Sequence, residues 1–339
     1  MTILVTGATG FLGSNLCRAL SEAGERVRAF HRPTSSLALL AGLRVETVAG
    51  DLTQPESLLP AFQGVRTVFH VAAEMGRAHS ARAMYAGTVT GTRNVLAVAA
   101  IAGVRRVVHT SSVAALGVPV NVETARHSLH TLPDWDAWVM DEHHTWNYPS
   151  AWWRYGHAKY LAELEVQRAV AKGLEVVTVN PSVVLGPGDR YQVSGRVVLQ
   201  VARNRLPVSV AGGLNVVHIA DIVRGHLAAM EWGRPGERYI LGGENLTHRR
   251  FLFMIAKVTH ARPPLVVLPY HLVRWLAAPV ALLPGGLPLP IEGHALRRAG
   301  YYFFYDNRKA QDQLGWVPRH TTEQAIADGF AWYHEQGIL

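Results

Sequence analysis

An α/β fold, with a doubly wound parallel sheet and a smaller C-terminal α/β domain, is what this 339-residue sequence predicts. Three observations carry that expectation. Short β-branched or apolar runs alternate with helix-length segments through the first half. Glycine returns every third residue at the first strand-to-helix junction. After Pro181 the alternation weakens, and Gly and Pro become frequent.

The alternating runs place strands at Ile3 to Thr6, Val27 to Phe30, Val45 to Ala49, Thr67 to Val71, Arg106 to Thr110 and Val176 to Val179. That rhythm means a parallel sheet covered by helices on both faces. Beyond it, GPG at 186–188 and LPGGLPLP at 283–290 separate helical segments by irregular stretches, which marks a second domain. There is no internal repeat and no low-complexity tract.

Composition excludes several classes of protein. At 49% hydrophobic residues the chain can bury a large core and is not disordered. No basic segment precedes an apolar run at the N-terminus, because Thr6-Gly7 interrupts the first one, so cytoplasmic residence is expected. The greasy stretch from Leu272 to Leu283 carries Arg274 and Pro279 and is shorter than the roughly 20 residues of a spanning helix. Stable membrane insertion is therefore not expected. Cys17 is the single cysteine, which rules out a disulfide within the chain and any multi-cysteine metal site. The net charge of +8 is spread thinly, mostly as Arg, without a basic block, so nucleic acid is not an expected partner.

The stretch GATGFLG puts Gly7, Gly10 and Gly13 between the first strand and a helix expected from about Phe11 to Ala23. One glycine permits a turn with φ > 0, a second lets backbone approach a pyrophosphate, and a third lets helix pack close on strand. The unpaired N–H groups of the helix N-terminus then face the anion. Gly7, Thr9, Gly10, Phe11, Leu12 and Gly13 are the residues expected to touch a dinucleotide here. Residues 1–180, with a return segment at about 215–232, are expected to form the dinucleotide-binding (Rossmann) domain, and 181–214 with 233–339 the substrate-binding domain.

At the end of the second strand an Asp or Glu would accept from the ribose 2′-hydroxyl of NAD. The chain reads VRAFHRPTSS instead, with Arg32, Thr34 and Ser35 offering donors where an acid is absent. Arg forms a charge-assisted fork with a 2′-phosphate, so NADP(H) is favoured over NAD(H), the alternative being an ordinary surface arginine. After the third strand come Asp51 and Leu52. Asp51 either accepts from the adenine amino group or caps the helix starting near Pro55.

In YGHAK, Tyr155 and Lys159 lie four apart and share one helix face. An ammonium near a phenol favours phenolate, and bringing a Tyr pKa from about 10 toward neutrality takes roughly 4 kcal/mol. Tyr155 would then be acid for carbonyl reduction and base for alcohol oxidation. The fifth strand ends in VVHTSS, so Ser111 and Ser112 reach the C-terminal edge of the sheet, where open α/β folds bind ligands. Ser112 could polarise the reacting oxygen there, or merely cap a turn.

With these residues assembled, the chain resembles the extended short-chain dehydrogenase/reductase family over nearly its whole length. The resemblance includes GDL at 50–52, HVAA at 70–73, NPSVVLGPGD at 180–189, VVHIADIV at 216–223 and DNRKAQDQLGWVPR at 306–319. It implies that Ser112, Tyr155 and Lys159 are the catalytic trio, that Val71, Ala72 and Ala73 form the turn beside the cofactor ribose, and that Pro181, Ser182 and Val183 lie near the nicotinamide. It also implies a homodimer formed through two outward helices. One departure is Thr88, standing where the family usually has Asn in its proton-relay architecture.

Nucleotide-sugar epimerases and dehydratases of this family tend to carry an Arg-Asp pair before the His-Val-x-Asp segment; here Gly213-Leu214-Asn215 stands in that place. NPSVVLGP instead resembles the dihydroflavonol-reductase-like and 3β-hydroxysteroid-dehydrogenase-like branches, which act on bulky alcohols or ketones. Trp135, Trp138, Trp146, Trp152 and Trp153 precede the Tyr155 helix and either cover a flat apolar substrate or pack an insertion against the body. His143 and His144 are adjacent and lack metal-ligand spacing, so no metal is expected. The expected function is NADP(H)-dependent reduction of a ketone or aldehyde on a bulky apolar or aromatic small molecule, or the reverse oxidation. The alternatives are a sugar epimerase or dehydratase with retained cofactor, and a non-catalytic NADP sensor.

Overall fold

Residues 2–74, 80–119, 139–273, 275 and 296–339 are described by the structure, a computed structural model. The chain runs β1 (Thr2–Thr6), α1 (Phe11–Glu22), β2 (Arg26–His31), β3 (Val45–Ala49), α2 (Pro55–Phe62), β4 (Val65–His70), α3 (Ala81–Tyr85), α4 (Gly91–Ile101), β5 (Arg106–Thr110), β6 (Val139–Met140), α5 (Arg154–Val170) and β7 (Val176–Pro181). It continues through β8 (Val183–Leu185), α6 (Arg196–Ala202), β9 (Val208–Val210), β10 (Gly213–His218), α7 (Ile219–Trp232), β11 (Arg238–Leu241), β12 (Glu244–Thr247) and α8 (His248–Val258). Then follow β13 (Val266–Leu268), β14 (Phe304–Tyr305), α9 (Arg308–Leu314) and α10 (Thr322–Glu335).

Seven strands form one parallel sheet in the order β11-β7-β5-β4-β1-β2-β3. The chain moves outward from β1 through β2 to β3 and then returns to β4, so the connections leave on opposite sides at β1 and β4. That reversal opens a crevice at the C-terminal strand ends. Alternation along β1 fills both faces: Ile3 and Val5 share a core with Leu16, Cys17 and Leu20 of α1, while Leu4 shares the opposite core with Val68, Val95, Leu96 and Val166. Sheet residues apolar on both sides are what the sequence runs encode.

The second region holds the three-stranded sheet β12-β10-β8 and the pairs β13-β9 and β14-β6. Two expected boundaries shift. β11, placed with the second domain because it follows residue 233, pairs in parallel with β7 and extends the main sheet. Its Tyr239, Ile240 and Leu241 are fully buried there, so the edge of the sheet captures a short apolar run. In the return segment α7 packs on the main sheet, in the α1 layer, whereas β10 belongs to the smaller sheet. The fourth strand also ends at His70, which leaves Val71 in the following turn.

Two of the motif segments lock together. The carboxylate of Asp221, fully buried near the start of α7, accepts from the backbone N–H of Arg319 and of His320, while its carbonyl accepts from the Trp316 indole at 2.8 Å. Among the described residues no helix is long and apolar enough to cross a membrane.

Candidate active site

At the first crossover Gly7 has φ +67°, and a Cβ there would sit 2.8 Å from the Ala72 Cα. The turn therefore needs glycine for conformation and for space. Gly13 lies against the same turn, with the Gly7 carbonyl oxygen 2.1 Å from where its Cβ would stand. Gly10 differs: a Cβ there would meet only the Gly7 oxygen, at 3.2 Å, and otherwise open space. Gly10 precedes α1 without a side-chain cap, so the first N–H groups of the helix point into that space. Thr9 is buried, and Phe11 and Leu12 are half-buried around it. Bare backbone, a helix N-terminus and a cradle closed to any Cβ on its floor fit a pyrophosphate.

Toward the adenosine end Arg32 is exposed, and its Nη2 meets Glu74 Oε2 at 2.5 Å. The sequence around Arg32 holds no acid; Glu74 supplies one from the turn after β4, 42 residues away. Ser35 closes a turn through its N–H on the Arg32 carbonyl. Asp51 Oδ1 accepts from both the N–H and the hydroxyl of Thr53 at 2.8 Å, so that oxygen holds the turn before α2 rather than capping the helix, whose N-cap is Gln54. The Leu52 carbonyl accepts from Asn94. Ala72 donates its N–H to Thr6 Oγ1, which places Val71, Ala72 and Ala73 beside the glycine turn. Pro181 ends β7, Ser182 bonds by its N–H to the Leu241 carbonyl, and Val183 begins β8; the Ser182 hydroxyl oxygen is buried with no partner among the described residues.

Ser112, Tyr155 and Lys159 come together at the end of β5. Lys159, 3% exposed, donates to the Thr110 carbonyl at 2.8 Å, and Ser112 lies near the Tyr155 phenol. Ser112 Oγ accepts from the Ala114 N–H, so it caps the turn that follows. Burial pushes the Tyr155 phenol up to about 12, against a smaller lowering by Ser112. This corrects the expectation of a phenolate-favouring lysine: the Lys159 ammonium is aimed at a backbone carbonyl, and desolvation dominates at the tyrosine. The phenol thus holds its proton at neutral pH, as a general acid requires. Burial lowers Lys159 to about 8, with Glu163 pulling it the other way.

Behind the trio lies a polar layer that sequence reasoning missed. Glu163, four residues after Lys159, accepts from Ser111, Asn180 and Arg238. Its i+4 place on the same helix face was the available signal. Thr88, where the family usually has Asn, is 1% exposed; its hydroxyl accepts from the Glu74 N–H and its carbonyl from the Thr92 hydroxyl, so it braces the Glu74 turn.

Three buried histidines flank the same strands. His70 bridges Thr6 and Thr92, His226 bonds Thr110 and the Ile222 carbonyl, and neither ring nitrogen of His109 has a partner among the described residues. Burial lowers His70 to about 3, His226 to about 4 and His109 well below its ordinary value. The unfolded chain takes up these protons near pH 6.5, so the stability they confer is complete above that pH and falls as pH drops toward the folded values. Between pH 7.5 and 5 His70 and His226 are each expected to withdraw about 2 kcal/mol. Urea melts at the two values check this, and equal midpoints would contradict it.

Of the five tryptophans, Trp135 and Trp138 lie outside the described residues. Trp146 packs on His157 and Tyr160 of α5, and Trp153 on Phe303. Arg297 and Arg298 lie 4.8 and 4.4 Å over the rings of Trp152 and Trp153. These three rings join α5 to the second region. His143 and His144 both bond Asp141, and Asn215 is buried on Gly243 and Asn245 within the small sheet.

A glycine cradle at the switch point, with a serine, a tyrosine and a lysine assembled two strands away across β4, is the arrangement of a dinucleotide-dependent dehydrogenase or reductase of the short-chain type. The profile of the NAD dependent epimerase/dehydratase family matches residues 3–242. The chain belongs to that family, in its extended short-chain dehydrogenase/reductase form, and is an enzyme. It is 36% identical over 350 residues to sterol demethylase protein B of Methylococcus capsulatus, covering 100% of both chains. It is 35% identical over 345 residues, 99% of this chain and 95% of the relative, to a provisionally named dihydroflavonol 4-reductase of Synechocystis sp.. The crystal structure of gox2253 superposes with a TM-score of 0.83 at 35% identity, covering 99% of this chain and 98% of that one. A nucleoside-diphosphate-sugar epimerase from Pseudomonas aeruginosa does so with 0.80 at 26%, again covering 99% and 98%.

Proposed function

We propose that the chain is an NADP(H)-dependent oxidoreductase that reduces a ketone or aldehyde on a bulky apolar or aromatic small molecule, or oxidises the corresponding alcohol. The observation that carries this reading is the convergence of Ser112, Tyr155 and buried Lys159 at the end of β5, with Lys159 bonded to the Thr110 carbonyl at the sheet edge. A nicotinamide dinucleotide in the glycine cradle supplies or accepts the hydride. Ser112 polarises the substrate oxygen, and Tyr155, keeping its proton at neutral pH, donates it to the developing alkoxide. Lys159, one helical turn after Tyr155 and donating to the Thr110 carbonyl, supplies positive charge at the end of β5. Gly7, Thr9, Gly10, Phe11, Leu12 and Gly13 hold the pyrophosphate; Asp51 and Leu52 hold the adenine; Val71, Ala72 and Ala73 line the ribose; and Pro181, Ser182 and Val183 line the nicotinamide.

The preference for NADP(H) rests on Arg32 and Ser35, and Glu74 modulates it. A 2′-phosphate reaching Arg32 must displace or share the guanidinium with a carboxylate that it repels. Glu74→Gln is therefore expected to strengthen NADPH binding severalfold while leaving NADH nearly unchanged, and Arg32→Ala to remove most of the preference. Fluorescence titration of both cofactors checks this; equal NADPH and NADH affinities in the unaltered protein would remove its basis.

The apolar substrate class is supported by the aromatic cluster beside α5, where Trp152 keeps exposed ring surface and Trp146, Trp153 and Phe303 pack on one another; apolar area that a ligand covers there is worth about 25 cal/mol per Å² removed from water. The test is a panel of aromatic and polycyclic ketones and aldehydes followed by NADPH absorbance, with UDP-hexoses alongside. Consumption of NADPH by the carbonyls supports the reading. The second reading, a nucleotide-sugar epimerase with retained cofactor, is favoured by the likeness to the Pseudomonas epimerase. Against it, no Arg-Asp pair stands in Gly213-Leu214-Asn215 before His218, and Asn215 is bonded within its own sheet. Conversion of a UDP-hexose to its epimer without net NADPH use would establish it. Homodimerisation through two outward helices and cytoplasmic residence complete the proposal; sedimentation tests the first and fractionation the second.

A further inference from the structure

Glu163 has no place in the chemistry above, yet it is 7% exposed and is one of the most densely bonded carboxylates in the fold. Its Oε1 accepts from the Ser111 hydroxyl at 2.5 Å and from Asn180 Nδ2 at 2.7 Å, and its Oε2 accepts from Arg238 Nη1 at 2.9 Å. Each partner comes from a different place in the sheet: Ser111 follows β5, Asn180 lies in β7 and Arg238 opens β11. The same Asn180 amide nitrogen donates to the Ser112 carbonyl at 3.0 Å. Arg238 is itself held by the carbonyls of Glu142 and His144. A buried carboxylate that accepts three donors, two of them neutral, keeps part of its negative field for a further cation. The cation one helical turn away is Lys159.

We propose that Glu163 is a positioning residue: its carboxylate, fixed by Ser111, Asn180 and Arg238, holds Lys159 as an ammonium aimed at the Thr110 carbonyl and, through Asn180, fixes the Ser112 backbone. This rests on the reading of Ser112, Tyr155 and Lys159 given above. Other groups facing Lys159 do not replace it. His70 of β4 and His109 of β5, on the strands beneath α5, are kept neutral by burial and by Lys159 itself, Tyr155 on the same helix keeps its proton, and His226 bonds the Thr110 hydroxyl. Burial lowers Lys159 to about 8, and Glu163 is the group that opposes the fall.

The sequence makes a direct measurement practical, because the whole chain contains only four lysines, Lys159, Lys172, Lys257 and Lys309. With lysine labelled by carbon-13 at Cε, the full-length protein without cofactor gives few resonances to titrate, and Lys159→Arg assigns the one of interest. The Lys159 midpoint is expected near 8 in the unaltered protein and about one unit or more lower in Glu163→Gln. The amide oxygen in that variant still accepts from Ser111 and Asn180, so a purely structural role leaves the midpoint in place. Arg238→Gln removes the cation that competes for Glu163, and should move the midpoint up. An unmoved midpoint in Glu163→Gln overturns the proposal; if that variant does not fold, an unmoved or lowered midpoint in Arg238→Gln does so. An active Tyr155→Phe enzyme would sink the reading of the chemistry while leaving the Lys159 titration where it was.

Discussion

Replacing Tyr155 with Phe is expected to lower turnover by about 10²- to 10⁴-fold, the usual worth of a positioned acid, while NADPH affinity stays nearly unchanged. The ring remains to fill its half-buried place near the start of α5, and only the hydroxyl is lost. A change confined to the transferable proton lowers kcat and kcat/KM together. The proton is available because burial pushes the phenol up to about 12, so the acid form predominates through the neutral range. Steady-state kinetics with cofactor titration on the same samples check the result. A Phe variant that keeps more than about a tenth of its turnover would assign the acid to another group, since a positioned acid is worth far more than that.

Local signals in the sequence reached a long way toward this site. The glycine spacing, YGHAK and VVHTSS each act within a few residues, and the structure places Gly7, Gly13, Ser112, Tyr155 and Lys159 around one crevice because those segments end at the same sheet edge. What was not legible came from distant parts of the chain. Glu74 reaches Arg32 across 42 residues, and no local pattern marks the turn after β4 as its partner. Glu163 was legible as a position on the Lys159 face, but its three donors arrive from strands whose adjacency only the sheet order reveals. β11 was missed for a related reason: Arg238–Leu241 is four residues long, and its membership of the main sheet depends on β7 being its neighbour. The raised Tyr155 is a consequence of burial, which spacing alone does not measure.

Gly10→Ala and Gly13→Ala are expected to weaken dinucleotide binding for different reasons, and the contrast locates the cofactor. At Gly13 the new Cβ would stand 2.1 Å from the Gly7 oxygen, 2.7 Å from its carbonyl carbon and 2.9 Å from the Ala8 Cα. All three are backbone atoms of a turn that is itself packed on Ala72, so none can rotate away. α1 must lift from β1, at an overpacking cost of about 1–3 kcal/mol, and the thermal midpoint should fall with the affinity. At Gly10 the backbone is extended, with φ −86° and ψ 174°, which alanine adopts freely, and its Cβ meets only the Gly7 oxygen at 3.2 Å. Stability should therefore hold while the methyl occupies the space over the α1 N-terminus. A pyrophosphate pushed back from those N–H groups loses its charge-assisted bonds, and an affinity loss of about 100-fold, close to 3 kcal/mol, is expected. Calorimetric titration with NADPH and thermal melts of both variants separate the effects. Unchanged affinity in Gly10→Ala would mean that the dinucleotide does not lie across this turn.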